Sequence, residues 1–231
     1  PSGIQVVDGN EIIDEEEIFA NNFAQNKNRS NTYTIFSDRF RYHLLARKGG
    51  WWFDTDMVAL RGPPENFSHD FYVGSTFEIK WKTCAIGAII FSEPGHPAIV
   101  QMRDEADSIV RAGVKEFIQV GPALVQRILK ERSLSGCIAP FYEFCPFPWR
   151  LIKMSAYQSN RDLLVNAARL GKHIMWQLMR DDFKAAYVRP GTRAVHLHNE
   201  IWRQAGLSKS GPFHPLSFVG RAMRRHGISL D

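Results

Sequence analysis

The sequence has no long apolar run and few cysteines, and each shortage excludes a class of protein. No apolar segment approaches the roughly 20 residues of a membrane-spanning helix, and the amino terminus lacks the basic-then-apolar order of a secretory signal. Cys84, Cys137 and Cys145 are odd in number and form no Cys-x-x-Cys pair. A disulfide framework and a thiolate zinc site are therefore not indicated, and a reducing, cytoplasmic location is expected.

Apolar and basic residues, by contrast, are plentiful. The 231 residues are 44% hydrophobic and include 16 Phe and 6 Trp, enough to fill the core of one domain over residues 1–231. The net charge of +5 favours contact with anions, such as nucleotide phosphates, anionic lipid headgroups or nucleic acid. Because the basic residues are scattered and no nucleic-acid motif is present, nucleic acid is not predicted as a partner.

Helical and extended patterns alternate along the chain. This alternation predicts an α/β fold with a mostly parallel central sheet flanked by helices, a fold that binds ligands at the carboxyl ends of its strands. Residues 141–149, rich in aromatics and proline, predict irregular or edge structure. The pattern predicts helices at 11–27, 34–48, 96–111, 121–131, 162–170, 200–204 and 218–226, and strands at 51–53, 71–73, 85–91 and 194–197.

Asp54-Thr55-Asp56 follows the predicted aromatic strand and is the main candidate site. Alternate side chains of an extended chain share a face, so Asp54 and Asp56 can converge on a divalent cation such as Mn²⁺ or Mg²⁺. Such a cation can bridge phosphate oxygens and neutralise a departing nucleoside diphosphate. The alternative is a solvated turn. A calcium-binding hand loop is excluded because Val58 and Ala59 stand where it needs an oxygen ligand and glycine.

Polar residues upstream add to this site. Asp38 and Arg41 are three apart on the predicted helix 34–48, where they can pair or present hydrogen-bonding groups to a ligand. A simple helix start with a solvated arginine is the alternative. Gly49 and Gly50 end the helix, and their missing side chains would also let a ligand approach the backbone.

These residues resemble a known family. The order SDRFRY at 37–42 and GGWWFDTD at 49–56 is similar to the sugar-binding DXD region of the family 32 type glycosyltransferases, which include α-1,6-mannosyl-, α-1,4-galactosyl- and bacterial capsule or lipopolysaccharide transferases. The resemblance implies a GT-A-like fold and retaining transfer from a UDP- or GDP-sugar to a saccharide or lipid-linked acceptor. It also implies that Asp38 and Arg41 bind the donor sugar, Asp54 the ribose and metal, and Asp56 the metal.

Looser matches follow downstream. GAII at 87–90, GHP at 95–97 and Gly121-Pro122 resemble later segments of the family, with Gly121 in the substrate site. AVHLHNEIW at 194–202 resembles the family's late His-and-Trp segment, which implies His196, in preference to His198, as a third metal ligand. By the same resemblance Trp202 covers the diphosphate or the sugar. The alternative for His196 and Trp202 is core packing.

The sequence also departs from the family. The family's first strand, which helps hold the base, is not recognisable before Gln5-Val6-Val7. Many relatives have asparagine facing the donor near position 87, where this chain has Gly87, so one sugar contact is either missing or replaced by Glu78 or Thr83.

Two other functions compete with the transferase. A metal-dependent phosphoesterase or nucleotide-sugar hydrolase would use the same carboxylates, and an inactive carbohydrate- or nucleotide-binding module would keep only the binding residues. Separately, Arg221, Arg224 and Arg225 lie on a short basic amphipathic segment. This segment is a candidate for peripheral contact with an anionic membrane; a solvated tail is the alternative.

Overall fold

Helices and short strands alternate along the chain, so the protein is mixed α/β, as the sequence predicted. The computed structural model describes residues 3–20, 32–62, 67–77, 83–147, 152, 159–161, 164–165, 167–168, 171, 188–204 and 206–228. The helices are α1 Thr34–Lys48, α2 Pro97–Ala112, α3 Pro122–Glu131, α4 Phe141–Phe144, α5 Asn199–Gln204 and α6 Phe218–Arg225. The strands are β1 Gly50–Phe53, β2 Met57–Ala59, β3 Phe71–Phe77, β4 Thr83–Ser92 and β5 Ala194–His196.

The chain divides into two compact units, and the division falls immediately after Asp54. Unit 1 comprises Pro1–Asp54, Pro64–Ser75 and Cys84–Ala139. Unit 2 comprises Thr55–Pro63, Thr76–Thr83 and Pro140–Asp231. The expectation of one domain over residues 1–231 stays a prediction.

The helices of unit 1 begin and end near the proline and glycine residues that mark helix boundaries in the sequence. Pro97 and Pro122 occupy the first turns of α2 and α3, where the missing N–H costs nothing, and His96 Nδ1 accepts the Ala98 N–H at 3.2 Å. α1 ends at Gly49, whose φ of 68° is unfavourable for residues with a β-carbon. α1 packs against α2 and α2 against α3, around a buried core centred on Ile35, Leu45, Ile99, Met102, Leu124 and Ile128.

Each sheet is small. β1, β4 and β3 form a three-stranded sheet in that order, and β1 runs antiparallel to β4 with Trp51 opposite Phe91. β2 and β5 form a separate antiparallel pair in unit 2, with Met57 opposite His196.

The mostly parallel central sheet expected from the sequence is not seen in the described part of the chain. Both strand pairs of known register are antiparallel, and parallel pairing occurs at the isolated bridge between Val73 and Ile138. Only residues 78–82 separate β3 from β4, whereas a parallel crossover needs about a dozen residues or more. Alternating helix and strand patterns therefore overestimated the number of crossovers.

The core of unit 2 is built from its late segments. The buried side chains are Phe147, Ile152, Val195, Trp202, Phe218 and Val219. Because Phe218 and Val219 of α6 lie in this core, the apolar side of α6 is already packed, while Arg221, Arg224 and Arg225 are exposed. No helix within the described residues has both the length and the apolar character to cross a bilayer.

Three predictions about local structure had different outcomes. The helix expected at 11–27 is wrong over its described part, where Gly9–Glu11 and Glu15–Glu17 form 3-10 turns. Asp8 and Asn10 accept backbone N–H groups at 2.9 and 2.7 Å, and these bonds compete with a helix. Part of 141–149 forms the short helix α4, and much of 162–170 lies outside the described residues.

Candidate functional site

A buried cluster of charged residues in unit 1 is centred on Arg41. Its Nη2 atom lies 3.0 Å from Asp38 Oδ1 and 3.1 Å from Asp54 Oδ1, and its guanidinium lies over the ring of Trp52. The indole N–H of Trp52 donates to the same Asp54 oxygen at 2.7 Å. The Asp54 side chain is 24% exposed, against 5% for Arg41 and 7% for Asp38. A ligand in solution would therefore meet Asp54 first.

Burial dominates the protonation of Asp38. Removal from water disfavours its carboxylate and raises the pKa of Asp38 to about 6, although Arg41 lowers it; Asp54 adds a further rise. One cation thus faces two carboxylates, of which Asp38 is shielded from water and Asp54 is partly exposed. Such an arrangement costs free energy of folding and is typical of functional sites.

Two glycines leave the space that this cluster occupies. A β-carbon at position 87 would lie 2.6 Å from Arg41 Nη1, and one at Gly121 would lie 2.6 Å from Asp38 Oδ2. The absence of asparagine at position 87 therefore has a steric reason, because Arg41 fills that space. Gly121 bounds the cluster through Asp38, and direct contact of Gly121 with a substrate stays a prediction.

Gly49 and Gly50 shape the connection between α1 and β1. A β-carbon at Gly49 would lie 2.5 Å from the Pro94 ring, and Gly50 has a φ of 91° with open space around its Cα. Both residues thus have a backbone reason to be glycine. The connection carries the chain directly from Arg41 on α1 to Asp54 after β1, where the Asp54 N–H donates to the Ala88 carbonyl at 2.9 Å.

Asp56 belongs to unit 2, where it is held by residues around β5. Its Oδ1 lies 3.1 Å from His196 Nε2, and its Oδ2 accepts the Asn199 backbone N–H at 2.7 Å. The Leu197 N–H donates to the Asp56 carbonyl at 2.9 Å, extending the pairing of β2 with β5. This pairing brings together residues about 140 positions apart in the sequence. As a result, the carboxylate of Asp56 is held in place by β5.

Asp56 and His196 stabilise each other's charged forms. Burial alone would raise the pKa of Asp56, but the His196 and Asn199 hydrogen bonds lower it to about 2. Burial alone would lower the pKa of His196, but its interactions with Asp56 and Cys145 raise it to about 10.

The Asp56 and His196 atoms also suit a divalent cation. Two ligands each about 2.1 Å from an octahedral ion and at right angles to each other lie about 3 Å apart. The 3.1 Å between Asp56 Oδ1 and His196 Nε2 matches this separation. Ligation by His196 requires the neutral ring, so a bound cation must displace its Nε2 proton.

Trp202 is 2% exposed and packs in the core of unit 2, with its ring centroid 5.7 Å from that of Phe213. This environment accounts for Trp202 as a core residue, and its contact with a ligand stays a prediction. Its Nε1 atom is buried without a hydrogen-bond partner among the described residues.

The predicted residues therefore fall into two groups along the chain. Unit 1 contains Asp38, Arg41, Asp54, Gly49, Gly50 and Gly121. Unit 2 contains Asp56, His196 and Trp202. Glu78, expected as a replacement donor contact, lies outside the described residues, whereas Thr83 is exposed at the start of β4.

Sequence reasoning assigned no role to Cys145 and ranked His198 below His196. In unit 2 these three residues lie together, with one metal-ligating atom of each within 4.8 Å of the others. The His-x-His spacing could have indicated His198, since alternate residues of a strand share a face. Nothing local indicates Cys145, which is 51 positions from His196.

No protein-family model matches this chain, and no curated protein matches it either.

Proposed function

We propose that the protein is a retaining, metal-dependent glycosyltransferase of the GT-A type that uses a nucleotide-diphosphate sugar. The observation that carries the proposal is that both carboxylates of Asp54-Thr55-Asp56 are fixed by buried or half-buried partners. Asp54 is bound by Arg41 and Trp52, and Asp56 by His196 and the Asn199 N–H. A solvated turn would leave such carboxylates without partners inside the protein.

The proposed chemistry is the departure of a nucleoside diphosphate from the sugar. Mn²⁺ or Mg²⁺ held by Asp54, Asp56 and His196 would supply Lewis-acid stabilisation of the charge on that leaving group. Because only Thr55 separates the two aspartates, both can serve one ion. Arg41 orients Asp54, and Asp38 orients Arg41. Preorganised charges of this kind stabilise a transition state without rearranging when the reaction occurs.

Retention follows if the acceptor hydroxyl attacks from the face that the diphosphate leaves. In this proposal the protein supplies no covalent nucleophile, and a donor phosphate oxygen accepts the hydroxyl proton. The acceptor is a saccharide or a lipid-linked saccharide of the kind used in bacterial polysaccharide synthesis.

The proposed location is the cytoplasm, with contact at the inner face of the membrane. Cys84, Cys137 and Cys145 are not disulfide-bonded in the described part of the chain, which fits a reducing compartment. Because the apolar side of α6 is packed in unit 2, membrane contact would depend on the charges of its exposed arginines. We therefore expect binding to anionic vesicles to weaken as salt is added.

The first experiment is thermal unfolding of the full chain with UDP- and GDP-sugars, each with and without Mn²⁺. The proposal expects one donor to raise Tm in a metal-dependent way, since ligands that bind only the folded state stabilise it. Incubation of that donor with candidate acceptors then separates the competing functions. A glycosylated product supports the transferase, release of free sugar alone indicates a hydrolase, and binding without turnover indicates a binding module.

Asp56→Asn is the matched variant because it keeps the side-chain shape and removes the charge. We expect it to fold and to lose transfer. Asp104→Asn removes a charge from an exposed position of α2 and should transfer normally. Near-normal transfer by Asp56→Asn would sink the assignment.

A further inference from the structure

Unit 2 contains a second group of ligating atoms whose chemistry differs from that of the aspartates. Cys145 is completely buried at the end of α4, His196 is 9% exposed at the end of β5, and His198 is partly exposed just before α5. One sulfur and two imidazole nitrogens form a borderline-soft ligand set, which favours Zn²⁺ over Mg²⁺ or Mn²⁺. We propose that Cys145, His196 and His198 bind a zinc ion.

The free nitrogens of the two histidines support this assignment. His196 Nδ1 and His198 Nε2 are both buried, and neither has a hydrogen-bond partner of acceptable geometry among the described residues. Leaving a buried polar atom without a hydrogen bond destabilises the folded protein. A metal ion would satisfy both nitrogens at once, since a neutral imidazole nitrogen without a proton is a metal ligand.

The second nitrogen of His196 is already held in the way that zinc sites require, because His196 Nε2 lies 3.1 Å from the Asp56 carboxylate. The backbone of Phe147 also interacts with the His198 ring. Zinc-ligating histidines almost always direct their second N–H to a carboxylate or carbonyl, which fixes the tautomer. Asp56 and Phe147 would thus position the rings without contacting the ion.

The spacing of the group is close to that of a loaded site. One ligating atom of each residue lies within 4.8 Å of the others, and the two ring centroids are 4.0 Å apart. Tetrahedral zinc with bonds of about 2.0–2.3 Å places neighbouring ligand atoms about 3.3–3.7 Å apart, so loading requires a contraction of no more than about 1.5 Å. His198 has a φ of 51°, an uncommon conformation outside glycine. Such conformations recur at ligand-binding sites.

Zinc binding would change the role of His196. Binding releases the Cys145 thiol proton and the His196 Nδ1 proton to solvent and engages His196 through Nδ1, so that its Nε2 keeps a proton and donates it to Asp56. His196 cannot then ligate Mn²⁺ through Nε2. Zinc should therefore weaken Mn²⁺ binding at the aspartates. This consequence rests on the proposed function, whereas the zinc site itself does not.

Cobalt is the probe because Co²⁺ replaces zinc and reports its ligands by absorption. One equivalent of Co²⁺ should give the wild-type protein a thiolate-to-metal charge-transfer band and intense tetrahedral d–d bands, both removed by one equivalent of Zn²⁺. Cys145→Ser should lose the charge-transfer band, whereas Cys137→Ser, which alters a partly buried cysteine of unit 1, should keep it. Absence of the band in wild type, or its persistence in Cys145→Ser, would overturn the proposal.

Two further variants keep the test decisive if Cys145→Ser fails to fold. His198→Gln should lose the tetrahedral d–d intensity. Asp56→Asn should retain the charge-transfer band with affinity lowered about 10–100-fold, because Asp56 only positions His196. Unchanged spectra and affinity in both variants would contradict the assignment. None of these measurements uses a sugar donor, so failure of the zinc site and failure of the transferase proposal remain distinguishable.

Discussion

Gly87 and Arg41 fit together so closely that a β-carbon at position 87 would lie 2.6 Å from the guanidinium Nη1 atom. The guanidinium has little freedom to retreat, because its Nη2 atom is bound to both Asp38 and Asp54. Gly87 of β4 therefore leaves the space in which the positively charged guanidinium of Arg41 lies.

Gly87→Ala should displace Arg41 and cost about 1–3 kcal/mol of unfolding free energy, the usual cost of overpacking a buried site. For a chain of this size that loss lowers Tm by about 2–12 °C, which differential scanning calorimetry resolves. Gly136→Ala is the matched control, because no atom lies within 4 Å of the added carbon. Equal stability of the two variants would mean that Arg41 moves aside freely.

The raised pKa of Asp38 makes stability depend on pH in the direction opposite to that of a surface ion pair. The folded protein binds the Asp38 proton more tightly than the unfolded chain does. The resulting contribution to the free energy of unfolding is fully present below pH 3.8. The advantage is lost as the pH rises to about 6. Between pH 4 and 7, the unfolding free energy of the wild type should therefore fall by up to about 3 kcal/mol more than that of Asp38→Asn. Urea unfolding of both proteins across this range measures the difference, and a constant difference would refute the prediction.

Asp56 acts in a lower pH window and with the opposite sign. Its folded pKa of about 2 lies below the ordinary value of 3.8 because of its bonds to His196 and Asn199. Its contribution to stability is therefore present above pH 4 and lost as the pH falls through 2. In that interval the unfolding free energy of the wild type should fall by about 2 kcal/mol more than that of Asp56→Asn. Acid titration followed by circular dichroism tests this, and parallel curves would contradict it.

Trp202 offers a test between packing and ligand contact. If it only packs, Trp202→Phe should keep most of the stability and remove an unsatisfied buried N–H, whereas Trp202→Ala should cost about 3–5 kcal/mol. The metal-dependent Tm shift with donor should then survive in Trp202→Phe. Loss of that shift in a well-folded Trp202→Phe protein would assign the indole to the substrate site.

Adjacent residues carried the predictions that the structure confirmed. One continuous segment contains the apolar spacing of α1, the Gly49-Gly50 stop and the aromatic residues of β1. The end of each element therefore fixes where the next one begins. Because residues three apart share a helix face, sequence allowed Asp38 and Arg41 to pair, and the structure confirms their bond. What these residues bind stays a prediction.

Only the tertiary structure decided the relationships between distant residues. Sequence gave no sign that Gly87 and Gly121 make room for Arg41 and Asp38, that β4 pairs antiparallel with β1, or that Cys145 lies beside His196. Asp54, Asp56 and His196 were named as ligands from the sequence, whereas Cys145 and the contacts of the aspartates with Trp52 and Asn199 were not. Local periodicity reports which face of an element is buried, whereas close approach depends on how elements far apart in the chain pack together.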